Sequence, residues 1–385
     1  MNYSCLITLN EKSIENNVRF LQKKLGSKVV LSAVVKANAY GHGIEPMVPL
    51  LSKYGVKHFS CFYYSEACRI KQVLSAPSTI LIMGYIPGNK LVDAIRSGFE
   101  YFVFSMERLH ETIQVCKEFQ LKAKIHLEME TGMNRSGIDQ SKLPELIELL
   151  KENREYIDLV GFCTHLAGAE SISNHTRIQR QVKNYFKFLS SLQKEGIEPK
   201  IRHMANSAAA FVYPKTRLDM VRIGIMLYGF WSSAEVFVQY LARRVHKTDP
   251  LKRILGWKSQ IMAIKKVKAG EFVSYGLSYL AQEDVVTALI PVGYSSGYSR
   301  SLSNRGKVLV QGQICNVIGL VNMNMIILDI TGLDQCSVGD EVVIIGKQGE
   351  REIKVSAFSD STNRLNYEVL TLLSPEIPRK VLFLS

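Results

Sequence analysis

A chain of 385 residues, 46% hydrophobic and 22% charged, has room for two domains and the composition of a folded globular protein. Its net charge of +13 invites a nucleic-acid reading, but no nucleic-acid motif accompanies it. Basic Arg177, Arg180, Lys183 and Lys187 instead interleave with apolar Ile178, Val182, Phe186 and Leu189, the spacing of a solvated helix face. No apolar run reaches the roughly 18 residues of a membrane helix, and the start MNYSCLITLNEKS lacks the basic-then-apolar order of a secretory signal. Seven scattered cysteines, without CxxC or Cys/His ligand spacing, read as reduced thiols of a cytoplasmic protein with no metal site.

Strand and helix patterns alternate through the first 230 or so residues. Strand candidates are Val29–Ala37, His58–Tyr63, Thr79–Tyr85, Glu100–Ser105, Ala123–Glu130, Leu159–Leu166, Ile201–Asn206 and Val221–Tyr228. Amphipathic stretches such as Met106–Phe119, Lys142–Asn153 and Asn174–Gly196 separate them. Eight such units predict an α/β fold, a closed (β/α)8 barrel of the TIM type, over a doubly wound open sheet. Ser232–Lys252 reads as the linker, which places a barrel domain over 1–236 and a second domain over 237–385. The second domain is mainly β, with strand candidates Ser259–Val267, Glu271–Tyr275, Val285–Val292, Lys307–Val310, Met323–Ile330 and Glu341–Ile345 between turn signals.

Polar residues gather where the barrel strands end, the face on which such folds build active sites. Lys36 closes the apolar run Val29–Val35 within VVKANAYGHG. Burial makes a charged lysine costly, lowers its pKa and turns its amine into a nucleophile suited to a Schiff base with a carbonyl. The fifth strand runs into Glu128-Met129-Glu130-Thr131-Gly132-Met133-Asn134-Arg135 and the sixth into Thr164-His165. The seventh leads to His203-Met204-Ala205-Asn206-Ser207, the eighth carries Val221-Arg222-Ile223-Gly224-Ile225. Packing alone does not account for so many polar strand ends.

The string from Val35 to Gly43, with these strand ends, resembles the alanine racemase family over about Asn16–Arg379. The resemblance implies a barrel that binds pyridoxal phosphate and a C-terminal β domain with which about Tyr3–Leu9 pack. It gives Lys36 the cofactor, and gives the phosphate Tyr40, Ser207, Tyr367 and the N–H groups of Gly224 and Ile225, with Asn206 beside them. It sets Arg222 against the pyridine nitrogen, where a permanent cation disfavours ring protonation. His203 steadies that arginine, and His165 relays to the second base. Arg135 and Met323 meet the substrate, and Tyr294 supports the entrance. Racemisation removes a proton from one face of Cα and returns one to the other, so two opposed bases are the simplest design. Lys36 is one; the resemblance makes Tyr275 the other, supplied by the partner subunit of a homodimer. A phenol is ordinarily protonated at neutral pH, and a His165–Arg222 pair nearby would favour its anion.

The pattern departs from the family in places. Glu128 stands where a lysine, often carbamylated, is common, and is expected to orient Arg135. Ser295-Ser296 replace an Ala-Asp pair, Leu320 and Glu376 replace arginines, and Asn322 and Asn324 replace a cysteine and an aspartate, while Tyr294, Arg300, Met323 and Tyr367 are retained. These changes leave the chemistry intact and open the substrate. The reading is a racemase of L- and D-alanine, which implies a role in supplying D-alanine to a cell wall. The alternatives are a racemase of another or broader set of amino acids, a related barrel decarboxylase, or a non-catalytic protein that binds the cofactor. A small amino acid and a second copy of the chain are the expected partners, with neither nucleic acid nor membrane.

Overall fold

The computed structural model describes residues 3–242, 245 and 247–383. They form two compact units, one of Ser13–Ala37 with Met47–Arg253, the other of the residues before Ser13, Asn38–Pro46 and the chain from Ile254. The division falls at Arg253/Ile254, later than the expected 236/237. The expected linker carries a helix, Ala234–Ala242.

Strand β1 (Cys5–Asn10) belongs to the second unit. The first unit holds eight parallel strands. These are β2 (Val30–Val34), β3 (His58–Cys61), β4 (Thr79–Ile82), β5 (Glu100–Val103), β6 (Ala123–Glu128), β7 (Ile157–Cys163), β8 (Ile201–His203) and β9 (Met220–Ile223). They pair in chain order, and β9 returns to β2. Between β8 and β9 the ring is joined by an Asn206–Arg222 bridge, in which Arg222 N–H donates to the Ala205 carbonyl at 3.1 Å. The result is the closed (β/α)8 barrel that the alternation implied. Its strands are short runs buried almost throughout, as parallel strands covered by helices require. The helix Met106–Phe119 has the expected bounds because both ends are signalled. Ser105 Oγ accepts from Arg108 N–H, and Gln120 takes a left-handed φ of 53° beyond the last turn.

Most barrel strands are shorter than their apolar runs suggest, since the polar residues that follow belong to loops. Val221–Tyr228 is the largest case: β9 stops at Ile223, Gly224 turns the chain, and Ile225–Tyr228 forms a 3-10 turn. The buried Tyr228 hydroxyl donates to the Val34 carbonyl at 2.9 Å.

The second unit is a mainly β domain around one ten-stranded sheet. Besides β1 it contains β10 (Leu255–Gln260), β11 (Ala263–Val267), β12 (Val285–Ile290), β13 (Lys307–Val310), β14 (Gln313–Ile318), β15 (Ile326–Asp329), β16 (Glu341–Gln348), β17 (Arg351–Ile353) and β18 (Arg379–Leu382). β1 lies between β10 and β18, antiparallel to the first and parallel to the second. Two short helices, Val355–Thr362 and Asn366–Thr371, complete the unit. The single strand expected over Ser259–Val267 is two, β10 and β11. The segment Glu271–Tyr275 is not a ladder strand: it makes one isolated bridge, Phe272 to Leu280. Positive φ at Ser274, Gly276 and Leu277 then bends it away from extended pairing.

Candidate active site

Lys36 stands two residues beyond β2, and the turn it opens has an unusual hand. Ala37, Asn38, Ala39 and Tyr40 have φ of 52–54°, a left-handed turn of four consecutive non-glycine residues. Small Ala37 and Ala39 and the αL-tolerant Asn38 suit that path. Local hydrogen bonds fix it: His42 N–H donates to the Ala39 carbonyl at 3.0 Å, and Gly43 N–H to the Asn38 carbonyl at 2.8 Å. Burial lowers the Lys36 pKa, and the positive charges of Arg135 and Arg222 add to this against the opposing Glu66. The amine is therefore neutral more readily than that of a surface lysine.

The same end of the barrel collects the other strand-end residues of this unit. His165 is held neutral, its pKa down to about 3, by burial and then by the charges of Arg222, Arg135 and Lys36. Its carbonyl accepts from Gln181 Nε2 at 2.9 Å, and Gln181 also binds Ala167 N–H and the Thr131 hydroxyl. Arg222 is buried, donates from one guanidinium nitrogen to the Thr164 carbonyl at 2.9 Å and from another to His203 Nδ1, and lies over the Phe102 ring. Asn206 caps the helix Ser207–Val212, its Oδ1 accepting from Ala209 N–H at 2.9 Å. Gly224 N–H donates to Ser207 Oγ at 3.0 Å, so those two candidates are joined to each other, while Ile225 opens the next 3-10 turn.

Glu128 behaves differently from the expectation. Its carboxylate accepts from the Ser136 hydroxyl at 2.9 Å, and Arg135 reaches it only through the field of its charge. Burial raises the Glu128 pKa, with Ser136, Arg222 and Arg135 opposing. The residue that organises the Arg135 loop is Glu130, whose carboxylate accepts from the backbone N–H groups of Gly132, Met133, Asn134 and Arg135.

In the second unit, Tyr40 is buried with its ring 6.1 Å from that of Tyr367, and burial raises its pKa. Tyr275, Tyr294 and Met323 line an open pocket of about 280 Å³ with Arg300, Asn322, Asn324 and Met325. Tyr275 is 73% exposed, the condition of a side chain available to another surface. Two of the replaced positions are tied to each other beside it: Asn324 Nδ2 donates to Ser295 Oγ at 2.9 Å, and that hydroxyl donates to the Met323 carbonyl at 2.8 Å. A larger cavity, about 660 Å³, is lined by Val30, Lys57, His58 and Thr79 at the N-terminal strand ends. It lies at the mouth opposite Lys36, which in barrels carries stability rather than chemistry.

Residues 9–231 match the family described as "Alanine racemase, N-terminal domain", and residues 254–381 match "Alanine racemase, C-terminal domain". The chain belongs to the alanine racemase family. It is 35% identical over 380 residues to the alanine racemase of Leptospira interrogans serovar Lai, covering 98% of this chain and 96% of that one. The alanine racemase of Clostridium difficile 630 superposes with a TM-score of 0.90 at 31% identity, over 99% of this chain and 96% of the other. An alanine racemase from Bartonella henselae, solved with covalently bound pyridoxal phosphate, superposes with a TM-score of 0.83 at 27% identity, over 99% and 100%. These relatives support an amino-acid racemase acting on alanine, in a family that depends on pyridoxal phosphate.

Sequence reading missed Glu100, His126, Glu130 and Gln181 as parts of the site. Glu100 and His126 gave a signal, being titratable residues at buried positions of the strands EYFV and AKIHLE. Nothing local says which partner each would meet across a barrel.

Proposed function

We propose that this chain interconverts L- and D-alanine with two bases, Lys36 on one face of Cα and Tyr275 of a second copy of the chain on the other. The observation that carries the reading is Lys36: a lysine of lowered basicity at a barrel-strand end, in the fields of Arg135 and Arg222. The donor set fits pyridoxal phosphate, with an amine that is readily neutral, a buried guanidinium that cannot lose its proton, and a hydroxyl next to backbone N–H groups at Ser207, Gly224 and Ile225. When bound, that cofactor supplies the electron-withdrawing ring that acidifies the substrate Cα–H.

The chain's own residues do the rest. Arg222 would hold the ring-nitrogen end of the cofactor as a cation that donates and does not accept a proton there. Ser207 with the N–H groups of Gly224 and Ile225 takes the phosphate, Asn206 holds Ser207 at the helix start, and Tyr40 and Tyr367 are the phenols assigned to the same anion. Arg135 takes the substrate carboxylate. Lys36 Nζ accepts the proton on its face and returns it, and Tyr275 Oη does so on the other with neutral His165 as its relay. Met323 and Tyr294 frame the entry, while Glu128 supplies negative charge near Arg135 and Arg222. A cytoplasmic place agrees with seven free cysteines, and no helix among the described residues is long and apolar enough to cross a membrane.

Incubation with single L-amino acids in D2O tests this. The expected result is α-deuteration with D-alanine formed, and alanine preferred in a chiral product panel. Absence of both exchange and D-product overturns the reading.

A further inference from the structure

The barrel interior holds an uninterrupted polar chain where bulky aliphatic layers are usual. His203 Nε2 and His126 Nδ1 lie 2.8 Å apart, and His126 Nε2 lies 2.8 Å from Glu100 Oε2. Arg222 joins the first end through His203 Nδ1. His126, His203 and Arg222 are at most 5% exposed and Glu100 8%. The links pass from β9 to β8, over β7 to β6, and on to β5. The step from β6 to β8 crosses the strand between them, and Gly161 of β7 is what allows it. A Cβ at Gly161 would lie 1.9 Å from His126 Nδ1, with no positive φ that would otherwise call for glycine.

We propose that Glu100 and His126 are positioning residues for Arg222, acting through His203 along this directional chain. Its direction follows from its ends. A guanidinium only donates and a carboxylate only accepts. Arg222 therefore donates to His203 Nδ1, so His203 carries its proton on Nε2 and donates to His126 Nδ1. His126 in turn carries its proton on Nε2 and donates to Glu100. Every donor meets an acceptor with both imidazoles neutral, one cation at one end and one anion at the other. Burial lowers the pKa of both His203 and His126; the charge of Arg222 adds to this, and at His126 burial outweighs the opposing Glu100. Burial also disfavours the Glu100 carboxylate, but donation from His126, with His58 Nε2 close by at 3.8 Å, outweighs it and holds its pKa at about 2. A reversed chain would bring an Nδ1–H of His203 against an N–H of Arg222. Glu100 thus sets which atom of His203 is offered to the arginine, and with it the guanidinium's orientation.

The proposal rests on Arg222 facing the ring nitrogen, and its test separates the two. First, imidazole nitrogens are read by NMR in the 15N-histidine-labelled, cofactor-free protein. The expected result is Nε2–H for both His126 and His203; an Nδ1–H or doubly protonated state at either overturns the chain. Second, Glu100→Gln and Gly161→Ala are compared with Glu100→Asp, with folding checked by melting. Both disruptive variants shift the His203 nitrogens, weaken pyridoxal phosphate binding and change the absorption band of the bound cofactor. They lower kcat about tenfold, the effect of one charge-assisted hydrogen bond, with alanine KM within threefold. Glu100→Asp keeps the charge and recovers part of each change. His203 nitrogens and a cofactor band unchanged in Glu100→Gln overturn the positioning role. If wild-type protein shows the expected tautomers yet neither binds the cofactor nor racemises, the functional reading fails and so does the role given to the chain.

Discussion

Replacing Glu130 by glutamine should loosen the Arg135 loop while leaving the barrel intact. One carboxylate accepts from four consecutive backbone N–H groups, with Met133 at 2.7 Å, Asn134 at 2.8 Å and Arg135 at 3.3 Å, and Gly132 closest. Glutamine keeps one acceptor oxygen and turns an NH2 toward the remaining donors, so about two of the four lose their partner. At roughly 1–1.5 kcal/mol net for each hydrogen bond to the carboxylate in a partly exposed loop, the cost is about 2–3 kcal/mol, or a roughly 30- to 150-fold rise in local opening. Other ties persist and confine the damage. Arg177 Nε donates to the Gly132 carbonyl at 3.0 Å, and Asn184 Nδ2 to the Thr131 carbonyl at 3.0 Å. Amide hydrogen exchange is the direct assay: protection at residues 132–135 should fall by that factor, while β6 over Ala123–Glu128 stays protected. Alanine KM should rise about tenfold because Arg135 is no longer held in place. Exchange at 132–135 within threefold of wild type would refute the claim that Glu130 orders the loop.

Other expectations follow from the same geometry. Tyr275→Phe should slow racemisation by about 10²–10⁴-fold, the usual weight of a general base, while exchange of the α-proton on the Lys36 face continues in D2O. Loss of exchange on both faces would remove Tyr275 from the role of separate base. Lys36 should be acylated at a lower pH than exposed lysines, because burial and then the Arg135 charge lower its pKa; peptide mapping after labelling at stepped pH reads this. Glu128→Gln should reduce turnover by removing negative charge near Arg135 and Arg222 while still accepting from Ser136, and unchanged steady-state kinetics would sink that role. Fully buried His42 has its pKa lowered to about 4, chiefly by burial. The unfolded chain then binds the extra proton below pH 6.5, so stability falls as pH drops from there toward 4. The loss is about 2 kcal/mol between pH 7.5 and 5. Denaturant titrations of His42→Gln should show a shallower decline over that range.

The barrel was legible because each β/α unit announces itself in hydrophobic spacing, and Lys36, His165 and His203 stood out because a polar residue that ends an apolar run is conspicuous; Arg222 stood out as a charge inside one, MVRI. What stayed hidden depends on tertiary neighbours. β1 pairs with β10 on one side and with β18, from the opposite end of the chain, on the other, and no local pattern links Cys5–Asn10 to Arg379–Leu382. Glu271–Tyr275 has β-prone residues, yet the chain bends at Ser274 and leaves it without a ladder partner. The charge complement of Glu128 was readable, but its hydrogen-bond partner was not. Arg135 and Ser136 are neighbours in sequence, and only the loop path settles which of them reaches the carboxylate.

Holding Lys36 at its station has an energetic cost, and the sequence around it shows how that cost is met. Four non-glycine residues in the left-handed region cost roughly 1–2 kcal/mol each, a penalty that persists only where surroundings over-determine the backbone. Here they do. Val35 N–H is tied to the Ser60 carbonyl of the neighbouring strand at 2.8 Å, which fixes the chain just before the lysine. After the turn, the Asn38 side-chain oxygen accepts from Ile44 N–H at 3.2 Å, and the His42 ring bonds the Tyr40 carbonyl at 2.9 Å. Gly41 cannot carry a side chain, because a Cβ there would lie 1.9 Å from the Leu370 carbonyl oxygen. Gly41→Ala should therefore release the turn without touching Lys36. The expected outcome is a Lys36 that titrates nearer to an ordinary lysine and loses its early acylation, while the barrel melts as before. If the labelling profile of Lys36 is unmoved, the left-handed turn is not what holds the amine in place, and burial by the strand end alone must account for its lowered basicity.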